Sequence, residues 1–339
     1  MHASNTDFPT MDDRFIWDIW LSSVQLPTVL AADELGIFDL LGRQPATADA
    51  LARELGLNAQ ALVGVLPLLV GLGLLTHHLG RFGLTEAGRL YLRHDGPFYW
   101  GEALGVMRTP VVALLCDALR DPTERRHYQM AQDWTEGRID KDAATAVARL
   151  MHAQSRPAAL GLAATGAFAG VTRLLDVGGG SGCFSLALAK RHPTMRCTVM
   201  ELPGMCEVVA GYVNEAGFGR QVASQAVDMF AEAWPRGHDA ILLSNILHDW
   251  DPATNAQLLI EALRALPAGG RLFVHEMLLD DDGAGPLAAA AFSVMLLLAT
   301  GGRQYSAREL AAMLTEAGFT DVGVSPAYGY YALITARKP

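Results

Sequence analysis

The residues of this chain with chemical potential fall into five short groups: Gly178-Gly-Gly-Ser-Gly182, Glu201, Asp228-Met-Phe230, Ser244-Asn-Ile-Leu-His-Asp-Trp250 and Glu276. The first group follows an apolar run of Leu174, Leu175 and Val177 and precedes a helical pattern of Phe184, Leu186 and Leu188. Glycines at a strand-to-helix turn permit positive φ and let backbone amides approach a ligand closely. A dinucleotide fingerprint needs a further glycine at position 183, which is Cys183, so a pyrophosphate cradle is a strained reading. Glu201, about 20 residues beyond the loop, suits a two-pronged hold on ribose hydroxyls. Asp228 suits an exocyclic amine such as adenine N6, and Met229 and Phe230 can cover the base. The set describes a nucleoside ligand.

These groups need a frame that brings them together. From Arg173 onward short apolar runs alternate with helical patterns, the signature of a doubly wound α/β sheet. Strands are expected at 173–177, 197–200, 222–227, 240–243, 271–277, 320–325 and 330–336, seven in all. Helices are expected at 203–216, from Pro252 behind the cap Asp251, at 287–299 and at 306–317. Ligands of open α/β sheets sit at the carboxyl ends of the strands, where all five groups fall.

The N-terminal part is helical. Thr47 caps a short amphipathic helix that Gly56 stops, and Asn58 opens another through Leu72. Pro27 is expected to kink or separate two helices between residues 15 and 41. Two extended pieces turning at Gly80 complete a helix–turn–helix with a small hairpin, a winged helix. Residues 59–75 carry no positive charge, so this helix is suited to burial or to a second subunit and not to a DNA groove. The connecting region 98–165 is rich in aromatic residues and Met, among them Trp134 and Met151, side chains that line pockets for flat ligands.

Acidic residues exceed basic ones by ten and the basic ones are scattered, which speaks against nucleic acid or an anionic membrane as partner. The four cysteines show neither zinc spacing nor a disulfide framework. The N-terminus lacks the features of a signal peptide, and the most apolar runs, 61–75 and 292–300, are shorter than a bilayer span. A cytoplasmic protein is expected.

With Asp176-Val-Gly-Gly-Gly-Ser-Gly182, Glu201-Leu-Pro203, Asp228-Met-Phe230, Ile246-Leu-His-Asp-Trp-Asp251 and Gly301-Gly-Arg303, the chain resembles the homodimeric S-adenosylmethionine-dependent small-molecule O-methyltransferases of plants and bacterial natural-product pathways. The resemblance implies a class I methyltransferase Rossmann-like seven-stranded sheet at 166–339, a helical connector at 101–165 and a winged-helix dimerisation domain at 1–100. It implies S-adenosylmethionine as cofactor, no metal, a small aromatic acceptor and a homodimer. Asp176, Gly178, Gly179, Gly180, Glu201, Leu202, Asp228, Met229, Phe230, Ser244, Asn245 and Trp250 then make up the cofactor site. By the same match His248 is the general base and Glu276 its orienting acid.

The physics fits that assignment. The transferred methyl sits on a sulfonium, already an activated electrophile. A phenol of pKa near 10 is a poor nucleophile at neutral pH, and an imidazole is a suitable base for it. The acceptor pocket is expected from Trp134, Met151, His152, Phe292, Met295, Leu296 and Gln304. Where plant members place a second Glu after the Gly-Gly-basic sequence, this chain has Gln304. A neutral amide can hold a ring but cannot stabilise an imidazolium by charge, so methylation of carbon or nitrogen is the alternative reaction. A winged-helix regulator is the alternative from another class.

Overall fold

A computed structural model of the protein describes residues 11–121, 141–283 and 285–339, with backbone only over 141–147. The chain separates into two compact units. One comprises residues 15–132 with 278–306, the other residues 1–14, 133–277 and 307–339. The division is discontinuous, in contrast to the three consecutive segments expected from sequence. Residues 278–306 belong with the N-terminal helices because the apolar helix Leu287–Ala299 packs against the helix Ala59–Gly71.

The first unit is mainly helical. Its helices Arg14–Leu21 and Gln25–Glu34 are separated by a 3-10 turn at Ser22–Val24. Pro27 sits in the first turn of the second helix, and the carbonyl four residues before it, which its ring excludes from a regular helical bond, is that of Ser23 within this 3-10 turn. Thr47 Oγ1 accepts the Ala50 N–H and Asn58 Oδ1 accepts the Ala61 N–H, so both expected caps form. Gly56 ends its helix at φ +67°, a conformation that a Cβ would strain. The hairpin pairs β1 (Leu75–His78) with β2 (Arg81–Leu84).

The helix Ala59–Gly71 buries Leu62, Val65, Leu66, Leu68 and Leu69. It is a core element, and its faces are not available to a DNA groove. At the start of the unit Trp17 and Leu21 turn inward while Phe15, Ile16 and Ile19 stand exposed. The helical run Arg14–Glu34 reaches a mean hydropathy of 1.2, long and apolar enough by composition to cross a bilayer, with half of that window buried inside the protein.

The second unit holds a seven-stranded sheet: β3 (Arg173–Val177), β4 (Arg196–Glu201), β5 (Val222–Ala226), β6 (Ala240–Ser244), β7 (Arg271–Met277), β8 (Thr320–Tyr328) and β9 (Tyr331–Arg337). The order is β5-β4-β3-β6-β7-β9-β8. The first five strands run parallel, while β9 is antiparallel to both β7 and β8. From β3 the chain winds outward through β4 and β5, then returns to lay β6 on the other side of β3. The switch point between β3 and β6 opens a crevice at their carboxyl ends. The core beneath it comprises Leu174, Val199, Leu242 and Phe273 from the sheet, with Phe184, Leu188 and Val209 from the covering helices. Burying runs of this kind on both faces is what makes parallel strands read as continuous apolar stretches.

Candidate active site

The glycine loop leaves β3 at this switch point and turns into the helix Cys183–Arg191. Gly178 takes φ +61°, and a Cβ there would meet Ile246 Cδ1 at 2.6 Å. The loop thus requires glycine for both its backbone conformation and its approach to the strand-end turn after β6. Above it lies a cleft with two lobes. The larger has a cavity volume of about 90 Å³ between Met200, Glu201, Leu202, Asp228, Met229, Phe230, Ile246, Asp249 and Trp250. The smaller is lined by Ser155, Asp176, Gly179, Ser181, Phe184 and Ser244. Met151, Gly178, Gly180 and Asn245 border both.

Each carboxylate at a strand end is set differently. Glu201 accepts the Gly180 N–H at 2.9 Å with one oxygen and the Leu202 N–H at 3.0 Å with the other. Burial pushes its pKa up to about 7 in spite of those two bonds. Asp176 takes the Ser185 hydroxyl at 2.7 Å on Oδ2, while its buried Oδ1 has no hydrogen-bond partner among the described residues. Burial pushes this carboxyl up to about 6. Asp228 Oδ1 accepts the Phe230 N–H at 2.8 Å, an Asx turn that fixes the Asp-Met-Phe loop. Phe230 meets the Trp250 ring edge-on at 4.7 Å, forming one wall of the larger lobe.

His248 rides on a 3-10 turn, Leu247–Asp249, just past the end of β6. Its ring Nδ1 lies 2.8 Å from Glu276 Oε2, and both side chains are almost wholly buried. Glu276 Oε1 accepts the N–H groups of Ile246 and Leu247 at 3.1 Å each. The turn is tied from the other side by fully buried Asn255, whose Nδ2 donates to the carbonyls of Leu247 and Trp250. Asp249 Oδ1 lies 3.7 Å from His248 Nε2. Burial by itself disfavours the imidazolium, but the negative charges of Glu276 and then Asp249 outweigh it. The net effect pushes the pKa up to about 9. Among the described residues no three His, Cys, Asp or Glu side chains converge as metal ligands would.

The acceptor-side expectations divide. Met151 borders both lobes, whereas the next residue along the helix, His152, faces a different cleft. There it stacks on Tyr212 at 4.3 Å and holds Ser181 Oγ at 2.9 Å with Nδ1. A step of one residue turns a helical side chain by about 100°. Trp134 lies outside the described residues. Phe292, Met295, Leu296 and Gln304 belong to the first unit. Within it Phe292 packs on Trp17 at 5.4 Å, Leu296 is buried, and Met295 is partly so. Gln304 is fully buried, donating its N–H to Ser293 Oγ and accepting Arg303 Nη1 on its carbonyl.

Sequence reasoning passed over Ser155, Met200, Met205, Val227 and Asn255. Ser155 had a legible signal, one helical turn beyond Met151 on the same face. Met200, Met205 and Val227 are ordinary core types whose position only the fold reveals, and Asn255 is a buried amide on the helix Pro252–Ala265 whose bonds to the turn no local pattern shows.

The residues present fit an adenosine-bearing cofactor with an amino-acid end. The glycine loop is one that a Cβ would fill, Glu201 offers two oxygens at the ribose position, and Asp176 keeps a buried acceptor without a partner. Comparison with known proteins agrees. Residues 113–320 match the model of the O-methyltransferase domain and residues 17–94 that of the O-methyltransferase dimerisation domain. The chain is 34% identical over 323 residues to the 3-hydroxy-5-methyl-1-naphthoate 3-O-methyltransferase of Streptomyces sahachiroi, covering 93% of this chain and 90% of that one. It is 30% identical to the L-tyrosine C(3)-methyltransferase of Streptomyces lavendulae, covering 85% of this chain and 82% of the relative. Among solved structures, the O-methyltransferase family 2 protein of Planctomyces limnophilus in complex with apigenin superposes with a TM-score of 0.86 at 29% identity, over 98% of each chain. The protein belongs to the S-adenosylmethionine-dependent O-methyltransferase family, whose members act on small-molecule secondary metabolites.

Proposed function

We propose that this enzyme methylates a phenolic hydroxyl of a flat aromatic secondary metabolite, with His248 as general base and Glu276 as the acid that orients it. The observation carrying this reading is the buried pair of His248 Nδ1 and Glu276 Oε2 at 2.8 Å. With Nδ1 engaged, proton exchange with the acceptor falls to Nε2. A base raised to about 9 lies close to a phenol of pKa about 10, so little driving force is lost in the transfer. Glu276 then stabilises the imidazolium that forms. Bound S-adenosylmethionine supplies the electrophilic methyl group. Glu201, Asp228 and Phe230 would hold its nucleoside, and Asp176 its ammonium group.

The relatives support the acceptor class: hydroxynaphthoate and tyrosine appear in the names of two, and apigenin is bound to the third. All three are phenols. Carbon methylation is the second reading, favoured by the tyrosine C(3) relative and by Gln304 in place of an acid. Deprotonating a phenol also makes its ortho carbon nucleophilic, so one base serves either outcome.

The test is transfer of labelled methyl from S-adenosylmethionine to a panel of hydroxynaphthoates, tyrosine and hydroxyflavones, with NMR assignment of the product. An oxygen-bound methyl supports the leading reading and a ring-carbon methyl the second. Full turnover by His248→Ala would remove the general-base role. We further infer a cytoplasmic protein that forms a homodimer, the dimer supported by the dimerisation-domain match and the exposed apolar face of Phe15, Ile16 and Ile19.

A further inference from the structure

His275 precedes Glu276 on β7, and the alternation of a strand sends the two side chains to opposite faces of the sheet. The His275 ring is fully buried. It stacks on Tyr331 at 4.6 Å with 7° between the planes and meets Phe184 edge-on at 5.2 Å. Nδ1 lies 2.9 Å from the hydroxyl of Ser244, its register partner on β6. Nε2 has no hydrogen-bond partner among the described residues. Burial pushes the ring pKa down to about 3, so the imidazole is neutral at working pH.

A neutral imidazole carries one N–H. On Nε2 that hydrogen would be a buried donor without an acceptor, which folded proteins rarely keep. On Nδ1 it donates to Ser244 Oγ. Ser244 then does not give its own hydrogen to His275, and that hydrogen is left free for a ligand in the smaller lobe that Ser244 lines with Asp176, Gly178 and Gly179. We propose that His275 is a positioning residue for cofactor binding. It fixes Ser244 as a hydrogen-bond donor to the carboxylate at the amino-acid end of S-adenosylmethionine.

The inference rests on the cofactor site described above. Glu201, Asp228 and Phe230 sort the nucleoside into the larger lobe, and the smaller one opens from it past Gly178 and Gly180. Of its polar side chains (Ser155, Asp176, Ser181, Ser244 and Asn245), two match the two charges of an amino acid. The unpartnered Asp176 Oδ1 is an acceptor for the ammonium, and the Ser244 hydroxyl is a donor for the carboxylate. None of the five chemistry-bearing groups contains His275, because in sequence it is one residue in an apolar strand.

Two probes separate the ends of the ligand in calorimetric titrations of the full-length protein. S-adenosylhomocysteine carries the amino-acid end, and 5′-methylthioadenosine keeps the nucleoside and thioether without it. The wild type is expected to bind S-adenosylhomocysteine the more tightly. His275→Phe, which retains the stack on Tyr331, is expected to weaken S-adenosylhomocysteine about tenfold and leave 5′-methylthioadenosine within about twofold, the size of one charge-assisted hydrogen bond. Ser244→Ala should lose the same amount, and the double variant no more than either alone. Equal loss on both probes would show a merely structural role, and no loss on either would show no role; each overturns the proposal. If His275→Phe does not fold, Ser244→Ala decides, and an unchanged preference for S-adenosylhomocysteine overturns it. Equal binding of both probes by the wild type overturns it while leaving the cofactor site standing. A wild type that binds neither probe removes the cofactor-site reading as well.

Discussion

Glu276 Oε2 lies 2.8 Å from His248 Nδ1, while Glu276 Oε1 accepts the N–H groups of Ile246 and Leu247, the two residues that lead into the histidine. One carboxylate on β7 thus fixes both the ring and the turn that carries it. The two functions can be pulled apart by substitution, because an amide retains an oxygen for the backbone but no charge for the ring.

Glu276→Gln is expected to lower kcat by about 10²-fold, within the range of general-base contributions, with little change in S-adenosylhomocysteine affinity. His248→Ala should lower kcat at least as far. Steady-state kinetics and calorimetry on the two variants check this, and a Glu276→Gln enzyme with wild-type kcat would refute the orienting role.

The pH dependence has a definite sign. His248 must be neutral to accept a proton, so kcat/KM on an acceptor of pKa about 10 should climb with pH and level off near about 9. Stability runs the other way. The folded pKa of about 9 lies above the ordinary imidazole value of 6.5, so the stabilisation is complete below about 6.5 and is lost as pH rises through about 9. Melting temperature should fall across that window in the wild type, and less so in His248→Gln.

Asp176 carries the opposite sign. Its carboxyl is raised by burial from 3.8 to about 6, so the cost of the charge appears as pH rises from about 3.8 through about 6. Asp176→Asn should therefore melt higher than wild type at pH 8 and bind S-adenosylhomocysteine more weakly. A thermal shift in the absence of ligand and a titration with it read the two effects separately.

Gly178→Ala is expected to cost about 1–3 kcal/mol of stability, the usual size for a non-glycine residue held in a left-handed conformation. The added Cβ also meets Ile246 at 2.6 Å. Ile246→Ala in the same chain should recover part of the loss by opening space, though not the part due to φ. Denaturant unfolding of the single and double variants checks this.

At the N-terminal helix, Ile19→Glu places a charge on an exposed apolar face and should convert the proposed homodimer to monomer without unfolding it. Light scattering after size exclusion, with circular dichroism as the folding control, reads the result. A dimer retained at micromolar concentration would place the interface elsewhere.

Much of this protein is legible in its sequence because local rules govern those parts. The apolar runs ending in Gly178, Glu201, Asp228, Ser244 and Glu276 mark parallel strands, and the fold class together with the strand-end rule places the first four around one crevice, with Glu276 buried against the His248 turn. Thr47, Asn58 and Asp251 cap helices through bonds spanning only three residues, so the sequence contains both partners. Other features depend on strand order, which no local rule contains. That β6 returns beside β3 puts Ile246 against Gly178, and that β7 pairs with β6 puts Glu276 under His248 and His275 beside Ser244. The electrostatic state of the base is decided there as well. A free imidazole titrates near 6.5, and only the charges of Glu276 and Asp249, outweighing burial, raise His248 to about 9. Sequence determined which groups are present and at which strand ends. The tertiary structure decided their partners, because pairing between strands some 30 residues apart sets hydrogen bonds, burial and charge together.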